Sequence, residues 1–71
     1  MKFVYLLVSD GGEWEDIVIY LTEEDAIESS IRYPNSRVEI FTKHYHFNQY
    51  LPTYNYYKNG ILYPYSGSLD I

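Results

Sequence analysis

The chain is short, acidic and rich in tyrosine, with 71 residues, a net charge of −5, ten tyrosines and no cysteine. A chain of this length forms one domain, which buries only about 60% of the surface that its unfolded form exposes. The lack of cysteine excludes both a disulfide framework and a cysteine-ligated zinc site, so assembly with other molecules is a natural source of extra stability.

The first predicted element is a strand over residues 2–9, whose side chains are apolar on both faces, as is typical of an interior strand of a sheet. Its apolar run is far shorter than the roughly 20 residues that span a membrane, and no signal-peptide pattern precedes it. We therefore expect a soluble protein that is not secreted and that has no membrane partner.

Residues 10–16 predict a turn between this strand and a second one over residues 16–21, which pairs with it antiparallel. The four acidic residues of the turn lack the spacing of an EF-hand calcium loop, so we expect no metal there. Trp14 lies in the same turn and has two interpretations. It either packs under the loop or inserts into a pocket of a partner protein.

A helix is predicted to begin after Thr22, a good N-cap that is followed by acidic residues at 23–25, where the helix dipole favours negative charge. Pro34 cannot continue a helix and marks its end. Glu28 and Arg32 stand four residues apart and are expected to pair on the outer face. The residues that we expect to lie on the sheet, at three- and four-residue spacing, are Ala26, Ile27, Ser30 and Ile31.

A third strand is predicted over residues 37–43, where side chains alternate, and residues 44–53 predict a loop or an irregular extension of that strand. His44 and His46 are two residues apart and would face the same way on a strand, as a metal-binding pair requires. No third ligand stands at a suitable spacing. We therefore expect two surface histidines and neither a metal nor any other cofactor.

The Asn59-Gly60 pair predicts a two-residue hairpin turn of type I′, which sets the register of the strands around it. The predicted pairs are Lys58 with Ile61, Tyr57 with Leu62, Tyr56 with Tyr63 and Tyr54 with Tyr65, so that Tyr54, Tyr56, Tyr63 and Tyr65 share one face. Pro64 has no N–H to donate to a ladder, which predicts that the last strand is an edge strand. The hairpin either folds back onto the sheet or projects and clasps another chain; our hypothesis is that it projects.

These elements predict an α+β fold: a small antiparallel sheet with one helix packed on one face, in the order β-β-α-β, followed by a C-terminal tyrosine-rich β-hairpin. We expect a single domain over residues 1–71, with a core over 1–43 and an aromatic hairpin and tail over 44–71. Residues 3–43 contain a strand, an acidic turn, a strand ending in Leu21-Thr22-Glu23-Glu24-Asp25-Ala26, a helix and a strand. This layout resembles that of small proteins of phages, large DNA viruses and bacteria, mostly without an assigned activity. The resemblance implies a viral or phage origin and transfers no functional residues.

Seven tyrosines lie between Tyr45 and Tyr65, which is more ring area than so small a core can shelter. We therefore expect a non-enzymatic structural or adaptor subunit that contacts other protein chains in a homo- or hetero-assembly, such as a minor capsid component of a virus particle or a protein of the host cytoplasm. The expected contact residues are Trp14, Tyr50, Tyr54, Tyr56, Tyr57, Tyr63 and Tyr65. The tail, residues 66–71, is expected to extend over a neighbour. No motif indicates catalysis or a small-molecule substrate.

The charge is uneven along the chain. Residues 1–31 hold eight acidic residues and one lysine, a net charge of −7, whereas residues 32–71 hold four basic and two acidic residues, a net charge of +2. Tyrosines can stack on bases, but so small a positive charge argues against a nucleic-acid partner. The alternative function is a small acidic inhibitor of phage or viral origin, which blocks a host enzyme by mimicking nucleic acid through residues 10–16 and 23–28. A solvated acidic surface is the simpler explanation of the same residues.

Overall fold

The computed structural model describes residues 2–9 and 11–65 of the chain. Its strands are β1 (Phe3–Ser9), β2 (Val18–Tyr20), β3 (Ser36–Lys43), β4 (Tyr50–Lys58) and β5 (Ile61–Tyr63), and its helix is α1 (Glu23–Arg32). Neighbouring strands are antiparallel and form one sheet in the order β2-β1-β3-β4-β5. This is an α+β fold with one helix. Asp10 of the predicted turn and the predicted tail contacts at 66–71 lie outside the described residues.

β1 lies between β2 and β3 and is an interior strand, as its two-sided apolar sequence predicts. β2 is shorter than the strand predicted over residues 16–21, because the chain before it forms a 3₁₀ turn (Trp14–Asp16). In that turn the Asp16 carboxylate accepts a hydrogen bond from the Glu13 N–H at 3.0 Å, and the Asp16 N–H donates to the Glu13 carbonyl at 2.9 Å. These bonds hold the connection outside the strand ladder.

The ends of α1 are those that the local sequence predicts. The Thr22 hydroxyl oxygen accepts a hydrogen bond from the Asp25 N–H at 3.2 Å and caps the helix. The helix ends at Arg32, two residues before Pro34. The Arg32 guanidinium donates to the Glu28 carboxylate on the exposed side of the helix, as their spacing predicts.

The buried side of α1 differs from the prediction at one position. Ala26 and Ser30 are fully buried, but Ile31 is 59% exposed and Ser29 is buried instead. The Ser29 hydroxyl donates to the Tyr20 hydroxyl at 2.8 Å, which ties α1 to β2. Because the residues at the contact are small, the helix can approach the sheet closely, and this approach leaves Ile31 at the border of the packed surface.

One face of the sheet packs on α1, and we call it the helix side. Side chains alternate along each strand, so every second residue of β1, β3 and β4 points toward the helix. The buried apolar residues of this core are Tyr5, Leu7, Ala26, Val38, Ile40 and Tyr57. A core of this size shelters only a minor share of the apolar side chains of the chain, and many of the others remain at the surface.

β4 and β5 pair through a turn at Asn59-Gly60, where both residues have positive φ, 52° and 79°. The observed pairs, Tyr56 with Tyr63, Tyr57 with Leu62 and Lys58 with Ile61, are those of the predicted register. The hypothesis that the hairpin projects is wrong. β4 also pairs with β3, and the Gly60 N–H donates to the Ser30 hydroxyl oxygen at 2.8 Å. Three strands therefore follow the helix within one continuous sheet.

The pairing of β4 is irregular in its middle, and both borders of the sheet are short. Tyr54 has a φ of 67°, and the register between β3 and β4 shifts between Glu39 and Phe41, as in a β-bulge. The border strands β2 and β5 have three residues each. Pro64 directly follows β5, which is the edge strand that this proline predicts.

Candidate protein interface

The second face of the sheet is not covered by any helix or strand within residues 2–9 and 11–65. The pairing aligns one residue from each strand in a row across this face: Ile19, Leu6, Glu39, Tyr56 and Tyr63. The row beside it, formed by Val18, Leu7, Val38, Tyr57 and Leu62, lies on the helix side. Since α1 packs only on the helix side, the first row faces outward.

We call this outward surface the open face. By alternation it comprises Val4, Leu6, Val8, Ile19, Arg37, Glu39, Phe41, Lys43, Tyr50, Pro52, Tyr56, Lys58, Ile61 and Tyr63. None of these residues is buried, and Ile19 is 59% exposed. The Arg37 guanidinium donates to the Glu39 carboxylate, so this central pair is neutral in sum. The open face is therefore mainly apolar, with charged residues on β3 and with Lys58 on β4, whose ammonium donates to the backbone carbonyls of Pro34 and Ser36.

Three of the predicted contact tyrosines lie on the open face: Tyr50, Tyr56 and Tyr63. The rings of Tyr56 and Tyr63 are stacked, with centroids 5.2 Å apart and planes 13° apart. Their stacking forms a flat aromatic surface on β4 and β5 that is suited to contact with another protein.

Tyr54 and Tyr65 are exposed, and their rings contact each other with centroids 5.5 Å apart. The prediction that they share a face with Tyr56 and Tyr63 rests on regular alternation along β4. The bulge at Tyr54 interrupts that alternation, so the register alone does not assign Tyr54 to the open face. Both rings remain available at the surface beside it.

Trp14 is 79% exposed in the 3₁₀ turn between β1 and β2. Of the two interpretations of this residue, packing under the loop is wrong, because most of the indole is in contact with solvent. Its use as an anchor in a partner's pocket stays a prediction.

Tyr57 does not lie at the surface as expected of a contact residue, because it is only 6% exposed in the core. Its hydroxyl donates to the Glu23 carboxylate at 2.7 Å. Burial raises the pKa of Tyr57 to about 12, and the hydrogen bond to Glu23 and its negative charge add to this effect. Burial also raises the pKa of Tyr5, again with a contribution from the Glu23 charge. The sequence already contained the information needed to place Tyr57 in the core, because the hairpin register assigns Tyr56 and Tyr57 to opposite faces of the sheet.

The aliphatic part of the open face was not among the predicted contact residues. Val4, Leu6 and Val8 belong to the two-sided apolar run that predicts an interior strand. An interior position explains hydrogen bonding on both sides of β1, but it does not require cover on both faces. On the open face these three side chains are only partly buried by the described residues.

His44 and His46 lie side by side in the segment after β3. The rings of His44 and His46 are 6.2 Å apart, and the His46 N–H donates to Nδ1 of His44 at 3.2 Å. In the described part of the chain, no three histidine or acidic side chains come together as a metal site would require.

Comparisons of the chain with protein-family models, with curated protein sequences and with solved structures found no match. Within the described ranges, no helix has both the length and the apolar character needed to cross a membrane. The resemblance of residues 3–43 to small phage, viral and bacterial proteins stays a prediction. Function is therefore inferred from the surfaces of this chain.

Proposed function

We propose that this chain is a non-enzymatic structural or adaptor subunit whose open face is covered by another protein chain. The observation that supports this proposal is the row of Ile19, Leu6, Glu39, Tyr56 and Tyr63, which crosses five strands on the face away from α1, with Ile19 and Tyr63 exposed and the other three partly buried. Water in contact with so much apolar surface is unfavourable, and a contiguous exposed apolar patch commonly marks an interaction site.

The size of the open face fits a protein interface. The 30 residues of the five strands, with a rise of roughly 3.3 Å and a strand spacing of roughly 4.8 Å, cover a flat area of roughly 480 Å². Side-chain relief increases this area toward the roughly 800 Å² that each partner contributes to a standard interface. By this estimate the flat area of the open face supplies more than half of what one partner contributes to a standard interface.

A second copy of the chain is the simplest occupant. It offers a face of the same area and the same apolar character, and two sheets pack face to face at roughly 10 Å. The borders of the sheet are poorly suited to association, because β2 and β5 are short and Pro64 follows β5. We therefore expect contact through the face of the sheet.

The virus particle is the setting that we propose for this subunit, and the resemblance of residues 3–43 to phage and viral proteins is its support. The open face supports assembly in any setting. Isolation of the untagged protein from its native source, followed by identification of the co-purifying proteins, tests the setting directly.

A pair of double variants tests the interface. Ile19→Lys with Tyr63→Lys places two charges on the open face, whereas Val18→Lys with Leu51→Lys places two charges on similarly exposed positions of the helix side, outside the lining of the cleft at the start of α1. Both variants change the net charge equally. In sedimentation velocity we expect the unmodified protein to dimerise, the open-face variant to be monomeric with an unchanged circular dichroism spectrum, and the helix-side variant to dimerise.

Two other outcomes are informative. If the unmodified protein is a monomer but a different protein co-purifies with it, and only the open-face variant loses that protein, the adaptor function holds with a different occupant. If the protein is monomeric and neither double variant changes what it binds, the proposed interface is wrong.

The acidic inhibitor is the second candidate, supported by the exposed 3₁₀ turn that carries Glu13, Trp14 and Glu15. These acids lie before β2 in the chain, and the acidic first turn of α1 follows β2. Charge reversal by Glu13→Lys with Glu15→Lys separates the candidates. Loss of the partner in this variant, with retention in the open-face variant, favours the inhibitor.

A further inference from the structure

A cleft lies on the helix side of the sheet, at the start of α1. It has a volume of about 170 Å³. Its apolar lining includes Phe3, Tyr5, Tyr57 and Leu62, and the carboxylate of Glu23 stands at its border. Aromatic walls with one acidic group form a chemically defined site, which is separate from the open face.

The polar side chains of the cleft differ in how many further hydrogen bonds they can make. The Thr53 hydroxyl donates to the Ile40 carbonyl at 2.8 Å, and its oxygen accepts from the Asn55 N–H at 3.1 Å. The Asn55 side-chain oxygen accepts from the Tyr65 N–H at 2.6 Å. A carboxylate has about four acceptor positions, and Glu23 uses one of them for the Tyr57 hydroxyl at 2.7 Å. Glu23 therefore keeps the capacity to accept a hydrogen bond from a ligand.

We propose that this cleft binds the alkylammonium group of a lysine side chain from a partner protein. The aliphatic stem of the lysine contacts Phe3 and Leu62, and the ammonium donates to Glu23 beside the rings of Tyr5 and Tyr57. A cation near aromatic rings and a carboxylate is stabilised by both. The net charge of −5 adds a general attraction for cations.

The volume restricts the ligand to the size of one side chain. A cavity of roughly 150 Å³ holds a benzene molecule, whereas sites for drug-sized molecules have roughly 300–1,000 Å³. Lysine fits the acceptor better than arginine does. A guanidinium binds a carboxylate best through both oxygens at once, and one oxygen of Glu23 already accepts a hydrogen bond from Tyr57. An ammonium needs only one oxygen.

This inference does not depend on the proposed interface, since the cleft and the open face lie on opposite sides of the sheet. A lysine could bind while the open face is covered by a second copy. Failure of one proposal therefore leaves the other in place, and the two are measured with different variants.

The test uses NMR titration of the ¹⁵N-labelled protein with Nα-acetyl-lysine-methylamide. The norleucine analogue has the same apolar stem without the charge. Glu23→Gln removes the carboxylate charge from the cleft, and Glu24→Gln makes the same change one residue away, outside the lining. We expect the lysine analogue to shift the amide signals of cleft residues, with at least tenfold weaker binding for the norleucine analogue and for Glu23→Gln, and unchanged binding for Glu24→Gln.

Several outcomes would overturn the proposal. Equal binding of the lysine and norleucine analogues in the unmodified protein removes the role of the charge, and this comparison stands even if Glu23→Gln fails to fold. Equal weakening by Glu24→Gln indicates general electrostatic attraction without a site. Tighter binding of the arginine analogue contradicts the choice of lysine. n-Butylammonium reproduces the lysine side chain alone and should bind about as tightly as the lysine analogue; much weaker binding would show that the contacts lie outside the cleft.

Discussion

The turn between β4 and β5 offers a sharp test of the packing that leaves the open face uncovered. Gly60 has a φ of +79°, and a Cβ atom built there would lie 3.0 Å from both Cγ1 and Cδ1 of Ile31 on α1. Gly11 has a similar φ of +74°, but apart from its chain neighbours no atom of the described residues lies within 4 Å of its Cβ position. Gly60→Ala therefore combines backbone strain with crowding, whereas Gly11→Ala introduces backbone strain alone.

The two contributions can be estimated separately. A left-handed conformation costs a residue other than glycine about 1–2 kcal/mol, and the lower entropy of the unfolded alanine chain returns about 0.4–1 kcal/mol. Moving the Ile31 side chain off its rotamer adds about 0.5–1.5 kcal/mol. We expect Gly11→Ala to lower the free energy of unfolding by about 1 kcal/mol and Gly60→Ala to lower it by about 2 kcal/mol.

Urea denaturation of the single variants and of Gly60→Ala combined with Ile31→Ala measures these values. Because Ile31→Ala removes the crowded atoms, Gly60→Ala should cost about 1 kcal/mol less in that background, close to the cost of Gly11→Ala. If Gly60→Ala costs no more than Gly11→Ala and does not depend on Ile31, the turn does not pack against α1. The distinction between the helix side and the open face would then fail as well.

Three further predictions concern the cap, the core and the pH dependence. Thr22→Ala removes the N-cap and should lower the free energy of unfolding by about 1 kcal/mol, measured by urea denaturation. Val38→Ala leaves a cavity at a fully buried site and should lower it by about 2 kcal/mol in the same assay. The pKa of Tyr57 is about 12 in the folded protein against an ordinary value of 10.0, so from pH 10 to 12 the Tyr57 hydroxyl ionises in the unfolded chain and stays protonated in the folded one. Stability from this group is complete below pH 10 and falls by about 1.4 kcal/mol per pH unit within that window. Tyr57→Phe should therefore flatten the pH dependence of urea unfolding.

The parts of the fold that depend on short-range chemistry were predictable from the sequence. The Thr22 hydroxyl caps α1 through a residue three positions away, and Pro34 ends the helix through its own ring geometry. Asn59-Gly60 sets its turn by tolerating positive φ. Each of these features depends on only a few neighbouring residues, so it can be predicted without knowing how distant parts of the chain pack.

The parts that depend on remote partners were not predictable in the same way. Whether Ser29 or Ile31 is buried depends on how α1 rotates against the sheet, and spacing alone gives more than one apolar stripe. The bulge at Tyr54 arises from pairing with β3, which no local pattern shows. For the candidate interface, the number of tyrosines indicated that some rings lie at the surface. Where those rings lie could be determined only from the order of the strands in the sheet.

The short border strands set a limit on how copies of this protein can combine. A sheet that ends in a three-residue strand followed by proline offers few free amide groups for lateral growth. When two copies pack through their open faces, both open faces become buried and the two helices lie on the outside of the dimer. Such a dimer has no open face left for a third copy and disfavours fibrils. Raising the protein concentration should therefore give dimers of fixed stoichiometry and no extended polymer.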